Sequence, residues 1–324
     1  MAVMTYVQAI TTGLQQAMRS DPSVIVLGED VGVYGGAFKV TKGLLDEFGP
    51  SRVIDTPISE AGIVGAAIGA SLVGLRPVAE MQFADFIATA FNQIVNVAAS
   101  SAYRGGGCVP IVIRAPCGAG THGGPFHSQS IEALFFHTPG LKIVMPATPA
   151  DAKGLLLSSI ADPNPVLYLE HKALYRSLQG KVEDGLTFVP LGKAAVRRPG
   201  GHLTVVSYGM MALRCLEAAE AAAAQGVEAE VLDLRTLLPL DLEAITASVS
   251  RTNRVLIVHE DRLRGGIGAE IAAHLGEHLF ASLDAPIARI GAPDVPVPYA
   301  PGLEDAYLPG VDRIREAMLR VARW

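Results

Sequence analysis

Cysteine is scarce in this chain of 324 residues. The three present, Cys108, Cys117 and Cys215, are odd in number, widely separated and never spaced as Cys-x-x-Cys. That argues against a disulfide framework or a structural zinc site and fits a reducing compartment. Charge is also thin, at 18% of residues, and its signs intermingle: 26 Lys and Arg against 32 Asp and Glu give a formal net charge of -6. No basic stripe offers itself to nucleic acid, and no polybasic segment to a membrane surface. Long apolar runs are missing too, since the uncharged residues 61–75 fall short of the roughly 20 that a membrane span needs. The first residues, Met-Ala-Val-Met-Thr-Tyr, carry neither the basic start nor the apolar core of a signal peptide, and a cytoplasmic protein is expected. The glycines at 32, 35 and 36 do not match Gly-x-Gly-x-x-Gly opening a helix, and no Gly-x-x-x-x-Gly-Lys-Ser/Thr occurs, so no phosphate loop is expected there.

What is abundant is aliphatic. Half of the residues are apolar, enough for a large core divided between two domains. A chain this apolar is also expected to hide surface in an oligomer. Short apolar runs at 24–27, 52–54, 77–81, 110–114, 142–145 and 165–169 read as strands covered on both faces. Helical patterns at 5–19, 61–75, 83–103 and 149–160 alternate with them. Such alternation predicts right-handed crossovers and a parallel sheet, with ligands at the carboxyl ends of the strands. Periodicity lapses over 181–201, the expected linker between a first domain at 1–180 and a second at 202–324. The second domain repeats the pattern, with strands at 202–207, 228–233, 254–259 and 286–290 and helices at 212–224, 241–250, 267–279 and 311–323. The Pro-rich run 293–301 is expected to be extended.

Residues 55–70, Asp-Thr-Pro-Ile-Ser-Glu followed by Ala-Gly-Ile-Val-Gly-Ala-Ala-Ile-Gly-Ala, put one carboxylate, Glu60, at the mouth of an apolar helix. Ser59 is placed to cap it, and burial on most sides is expected. Glu60 either complements the helix dipole or is a buried catalytic group. The glycines at 62, 65, 69 and 74 weaken the helix and suggest close approach of another backbone or a ligand. His127 lies in a glycine-rich loop and titrates near neutral pH, which suits proton transfer but also suits a solvated loop. His122 lacks further zinc ligands at useful spacing, and Ser128 and Ser130 lack the strand-turn-helix setting of a hydrolase nucleophile. Met-Gln-Phe-Ala-Asp-Phe at 81–86 places Gln82 and two aromatics after a strand, a group able to hold a flat heterocycle or simply to pack a helix entry. Asp-Pro-Asn-Pro at 162–165 reads as a turn, with a cation on its oxygens as the minority reading.

Six segments in order, Leu-Gly-Glu-Asp-Val at 27–31, Asp-Thr-Pro-Ile-Ser-Glu at 55–60, the stretch 74–86, His-Ser-Gln-Ser at 127–130, Asp-Ala-Lys-Gly-Leu-Leu at 151–156 and Leu-Asp-Leu-Arg-Thr at 232–236, resemble the beta subunit of the E1 component of 2-oxo acid dehydrogenase complexes. The resemblance covers nearly the whole chain. It implies two parallel-sheet α/β domains: a transketolase-type pyrimidine-binding domain and a transketolase C-terminal domain. It implies thiamine diphosphate as cofactor, with Glu60 bonded to N1' of the aminopyrimidine, Phe86 packed on that ring and Gln82 beside it. His127 matches a histidine that assists proton transfer and reductive acylation of the lipoyl group. Ile111, Ser159, Ile160, Asp162 and Asn164 match a potassium-binding set, and the segment 103–110 before it is shorter than in many relatives. The Gly-Asp-Gly motif by which family members bind diphosphate and Mg2+ occurs nowhere in the chain. The expected partner is therefore an alpha subunit supplying that half, in an alpha2-beta2 heterotetramer that also meets the E2 core and its lipoyl domain. The implied substrate is a 2-oxo acid, branched-chain slightly ahead of pyruvate, with acetoin or a mainly E2-docking role as alternatives.

Overall fold

The computed structural model describes all residues, Met1–Trp324. They fall into two units, one of residues 1–117 and 134–191, the other of residues 118–133 and 192–324.

In chain order the first half runs β1 (Ala2–Thr5), α1 (Tyr6–Ser20), β2 (Val24–Gly28), α2 (Leu44–Phe48), β3 (Val53–Asp55), α3 (Glu60–Leu72), β4 (Arg76–Glu80) and β5 (Val112–Cys117). After the 118–133 loop come α4 (Glu132–Phe135), β6 (Lys142–Val144), α5 (Pro149–Ala161), β7 (Val166–His171), α6 (Leu174–Ser177) and β8 (Gln179–Val182). Strands β6, β7, β5, β4, β2 and β3 lie side by side in that order, all parallel, as the buried apolar runs predict. Helix α1 starts with a capping box, Thr5 accepting from the Gln8 amide while Gln8 accepts from the Thr5 amide. Its apolar face, Ile10, Leu14 and Met18, is buried, and the helix packs against α5.

Residues 83–103 are not one long helix: Ala84–Ala90 winds as a 3-10 helix and Gln93–Ala98 as a π-helix. Helix α3 is not buried on most sides. Ile63, Val64, Ala67 and Ile68 face the core, whereas Gly62, Ala66, Gly69 and Leu72 are exposed. A Cβ placed at Gly65 or Gly69 would meet nothing within 4 Å, so no backbone of this chain closes on those glycines. β1 and β8, which pair antiparallel, carry no apolar alternation to announce them.

The second unit contains β9 (Ala195–Arg198), β10 (Leu203–Ser207), α7 (Gly209–Ala223), β11 (Ala229–Asp233), the short β12 (Thr236–Leu238), α8 (Leu242–Thr252), β13 (Val255–Arg262), α9 (Ile267–Leu279), β14 (Ala288–Ala292), α10 (Pro301–Tyr307) and α11 (Val311–Ala322). Its sheet has the order β14, β13, β10, β11, β9, parallel except for the antiparallel edge strand β9. That strand forms inside the stretch read as linker, and α10 forms at the end of the Pro-rich run, with Pro301 in the first turn where it costs no hydrogen bond.

The centre of the first sheet is pinned by charge. Arg114 of β5 is fully buried between Glu80 of β4 and Glu170 of β7. Its guanidinium donates to both Glu170 oxygens, at 2.6 and 2.8 Å, and to Glu80. Burial opposes its charge, but the two carboxylates outweigh burial and hold it protonated. Tyr175 donates to Glu170 at 2.6 Å. Arg114→Met would strand two buried carboxylates. The variant is expected to lose about 3–5 kcal/mol, read as a fall in the urea midpoint of the purified chain; an unchanged midpoint would contradict this account.

Candidate functional site

β3 ends at Asp55, whose carboxylate accepts from the Gly32 amide at 2.6 Å. Pro57 delays the helix, and Glu60 becomes the first residue of α3. Ser59 holds the capping position as expected, yet its hydroxyl makes no cap hydrogen bond. The Glu60 residue is only 8% exposed. Its Oε2 accepts from the Thr89 hydroxyl at 2.8 Å. Glu29, just beyond β2, is buried beside it with Oε1 lacking a hydrogen bond. Burial first, then the charges of Glu60 and Asp30, holds the Glu29 carboxyl above its ordinary range.

Gln82 and Phe86 follow β4 in the same unit, both half-buried. Phe86 begins a chain of rings: Phe86 to Phe83 at 5.6 Å, Phe83 to Phe38 at 5.4 Å, Phe38 to Tyr175 at 5.2 Å. Edge and tilted contacts at these separations lock aromatic positions. Gly36, at φ +79°, passes so close to Glu80 that a Cβ would lie 2.9 Å from its Oε1, which fixes the loop that carries Phe38. Thr89 lies in no motif of the chain. Glu29 is marked only by its place at the end of a buried strand and within the segment 27–31.

His127 belongs to the other unit, half-buried at the end of the single 3-10 turn Gly124–Phe126. Its loop is held by carboxylates from the same unit. Glu260 accepts from the Ala119 amide at 2.7 Å and the Ser130 hydroxyl at 3.1 Å. Glu304, fully buried, accepts from the His122 amide and lies 2.7 Å from His122 Nδ1. Gly124 is required, at φ +65°, because a Cβ would overlap the Tyr299 ring. Ser128 is buried and accepts from the Gly123 amide, a structural use. Glu132, at the loop's end, accepts from Tyr208 at 2.8 Å.

The matches to known families span both halves. Residues 2–177 match the transketolase pyrimidine binding domain, and residues 192–314 the transketolase C-terminal domain. A 2-oxoisovalerate dehydrogenase subunit beta from Bacillus subtilis (strain 168) is 49% identical, with 100% of each chain covered. The chain belongs to the E1 beta-subunit family of 2-oxo acid dehydrogenases. These are thiamine-dependent oxidoreductases of transketolase-like fold. A pyruvate dehydrogenase E1 component subunit beta from Staphylococcus epidermidis is 44% identical over 98% of each chain. An acetoin:2,6-dichlorophenolindophenol oxidoreductase subunit beta from B. subtilis is 45% identical, covering 98% of this chain and 97% of that one. A solved split gene transketolase, described as an inactive beta4 tetramer, superimposes with a TM-score of 0.80 at 26% identity, covering 99% of this chain and 98% of that one.

The corner around Glu60 fits the pyrimidine of thiamine diphosphate, since a shielded carboxylate with one oxygen already bonded stands in the same unit as a half-buried aromatic and an amide. The turn at 159–164 fits potassium poorly. The carbonyl oxygens of Ile160 and Asp162 accept from Arg76 at 2.7 and 3.4 Å, and that of Ile111 accepts from the Val166 amide at 2.9 Å. Ser159 turns its hydroxyl to Leu155, Asn164 donates to Asp162 Oδ1, and Lys142 pairs with the other Asp162 oxygen. A further cation would share these oxygens with two full positive charges.

Burial and then the Asp261 charge push Glu132 from 4.5 up to about 8. The folded chain keeps a proton there that the unfolded chain releases, so stability falls as pH rises through this window. Glu132→Gln removes the dependence. Relative to the parent chain, its Tm is expected to gain about 2–4 °C for each kcal/mol of this loss as pH rises from about 4.5 to about 8; a gap independent of pH would refute the assignment.

Proposed function

We propose that this chain is the beta half of an alpha2-beta2 E1 enzyme that decarboxylates a 2-oxo acid, branched-chain ahead of pyruvate, and passes the acyl group to the lipoyl domain of an E2 partner. The observation that carries the reading is Glu60: a carboxylate nearly closed to water at the head of α3, fixed through one oxygen by Thr89. Thiamine diphosphate, when bound, supplies the nucleophilic carbon and the electron sink for decarboxylation. Glu60 holds a proton at N1' of the pyrimidine, Phe86 and Gln82 seat the ring, and His127 moves protons during acyl transfer. The domains are taken as 1–180 and 202–324, with β9 of the second sheet forming inside the 181–201 join.

Two features support a partner. The chain has no Gly-Asp-Gly for diphosphate and Mg2+. The exposed Gly and Ala face of α3, with Leu72 and Val73 beside it, offers a surface on which another backbone can pack closely. The proposed place of action is the cytoplasm. Acetoin is the second reading, favoured by the 45% identity to the acetoin oxidoreductase subunit.

Purified alone, the chain is expected neither to bind thiamine diphosphate tightly nor to decarboxylate, and with its alpha subunit to do both. Tight Mg2+-dependent binding by the isolated chain would sink this division of labour. Assay of the reconstituted enzyme with 3-methyl-2-oxobutanoate, pyruvate and acetoin ranks the substrates, the first being expected to give the highest kcat/KM. In that enzyme Glu60→Ala is expected to abolish decarboxylation without loss of assembly, and His127→Ala to lower lipoyl-domain acylation by about 10²-fold or more. Thermal unfolding in potassium chloride and in choline chloride is expected to coincide, because Arg76 and Lys142 already serve the 159–164 turn; a rise specific to potassium would restore a bound ion there.

A further inference from the structure

Thr89 stands outside every motif of the chain, yet its hydroxyl is bonded to the proposed catalytic carboxylate. Its single proton faces two acceptors, Glu60 Oε2 at 2.8 Å and the Phe86 carbonyl oxygen at 3.0 Å. The Glu60 oxygen is the closer of the two. The local winding brings this about. Ala84–Ala90 is a 3-10 helix, in which residues three apart eclipse, so Phe86 and Thr89 share one edge. An α-helical turn would rotate them about 60° apart.

The bond also works against a repulsion. Glu29 lies close enough for the charge of Glu60 to raise its carboxyl. A glutamate at the first position of a helix has three side-chain torsions, and a like charge nearby favours rotamers that turn it away. The Thr89 hydroxyl is the hydrogen-bond donor that the structure sets on its carboxylate to resist this.

From this geometry we infer that Thr89 is a positioning residue: it occupies Oε2 of Glu60, fixes the carboxylate, and thereby leaves Oε1 for the aminopyrimidine. The inference deepens the role proposed for Glu60 and rests on it. Thr89 is itself exposed in the chain, so replacing its hydroxyl by a methyl group opens no core cavity.

The test uses the alpha-beta enzyme carrying Thr89→Val, Thr89→Ser or Glu60→Ala, with steady-state kinetics and calorimetric titration of thiamine diphosphate in the presence of Mg2+. Thr89→Val is expected to lower kcat by about 10–100-fold, the range for losing a hydrogen bond to a charged group. Cofactor affinity should weaken by about tenfold, with the KM for the 2-oxo acid held within about twofold. Thr89→Ser, which keeps the hydroxyl, should stay within about threefold of the parent in both readouts. If Thr89→Val matches the parent while Glu60→Ala is inactive, the positioning role is wrong and the role of Glu60 survives. If Glu60→Ala retains activity, the role of Glu60 fails and the inference with it. If Thr89→Ser falls as far as Thr89→Val, the hydroxyl is not the cause and the inference is overturned. Should Thr89→Val not assemble, Thr89→Ala carries the same comparison with the serine variant.

Discussion

A guanidinium sealed from water holds the first unit together. Arg114 joins three neighbouring parallel strands near their carboxyl ends, where sheets of this kind place their ligands. Because both carboxylates pair with this one guanidinium, the cluster ties the register of the three strands together. The constraint travels outward through Tyr175, which bonds Glu170, and then ring against ring to Phe86. The position of an aromatic in the candidate pocket thus traces back to an ion pair in the sheet interior.

Buried carboxylates serve two purposes in this chain, and their remaining hydrogen-bond capacity separates them. Glu304 spends both oxygens on the His122 backbone and imidazole, so it is scaffolding for a loop that its own glycines would leave loose. Glu60 receives one donor and retains an oxygen for something else. Leaving such a group incompletely bonded costs stability, and that cost is tolerated where a ligand completes the set.

Much of this architecture could be read from the chain because buried parallel strands are written as short aliphatic runs between turn residues. The places of β2, β4, β5 and β7 and of Glu60 at the head of α3 follow from that code. Other features left no such trace. The apolar residues of 83–103 fit an α-helical period, and only tertiary packing winds Ala84–Ala90 tighter and Gln93–Ala98 wider. β9 is an antiparallel edge strand with mixed exposure, so its Ala-Val-Arg-Arg shows no core-facing pattern. Thr89 belongs to no motif; its importance arises from a contact 29 positions away in sequence, which no local spacing encodes. Glycines on α3 pointed to a close approach, but the chain itself supplies no approaching backbone.

The loop at 118–133 makes the molecule indivisible by a single cut. It follows the last strand residue of one unit, Cys117, yet its amides satisfy Glu260 and Glu304 of the other. A fragment starting at residue 192 would contain every strand and long helix of the second unit and still leave those acids facing an empty interior. Proteolysis or gene fission after residue 191 would leave Glu260 and Glu304 without these hydrogen bonds, because the piece that makes them lies 59 positions upstream of the cut fragment's first residue at the nearest.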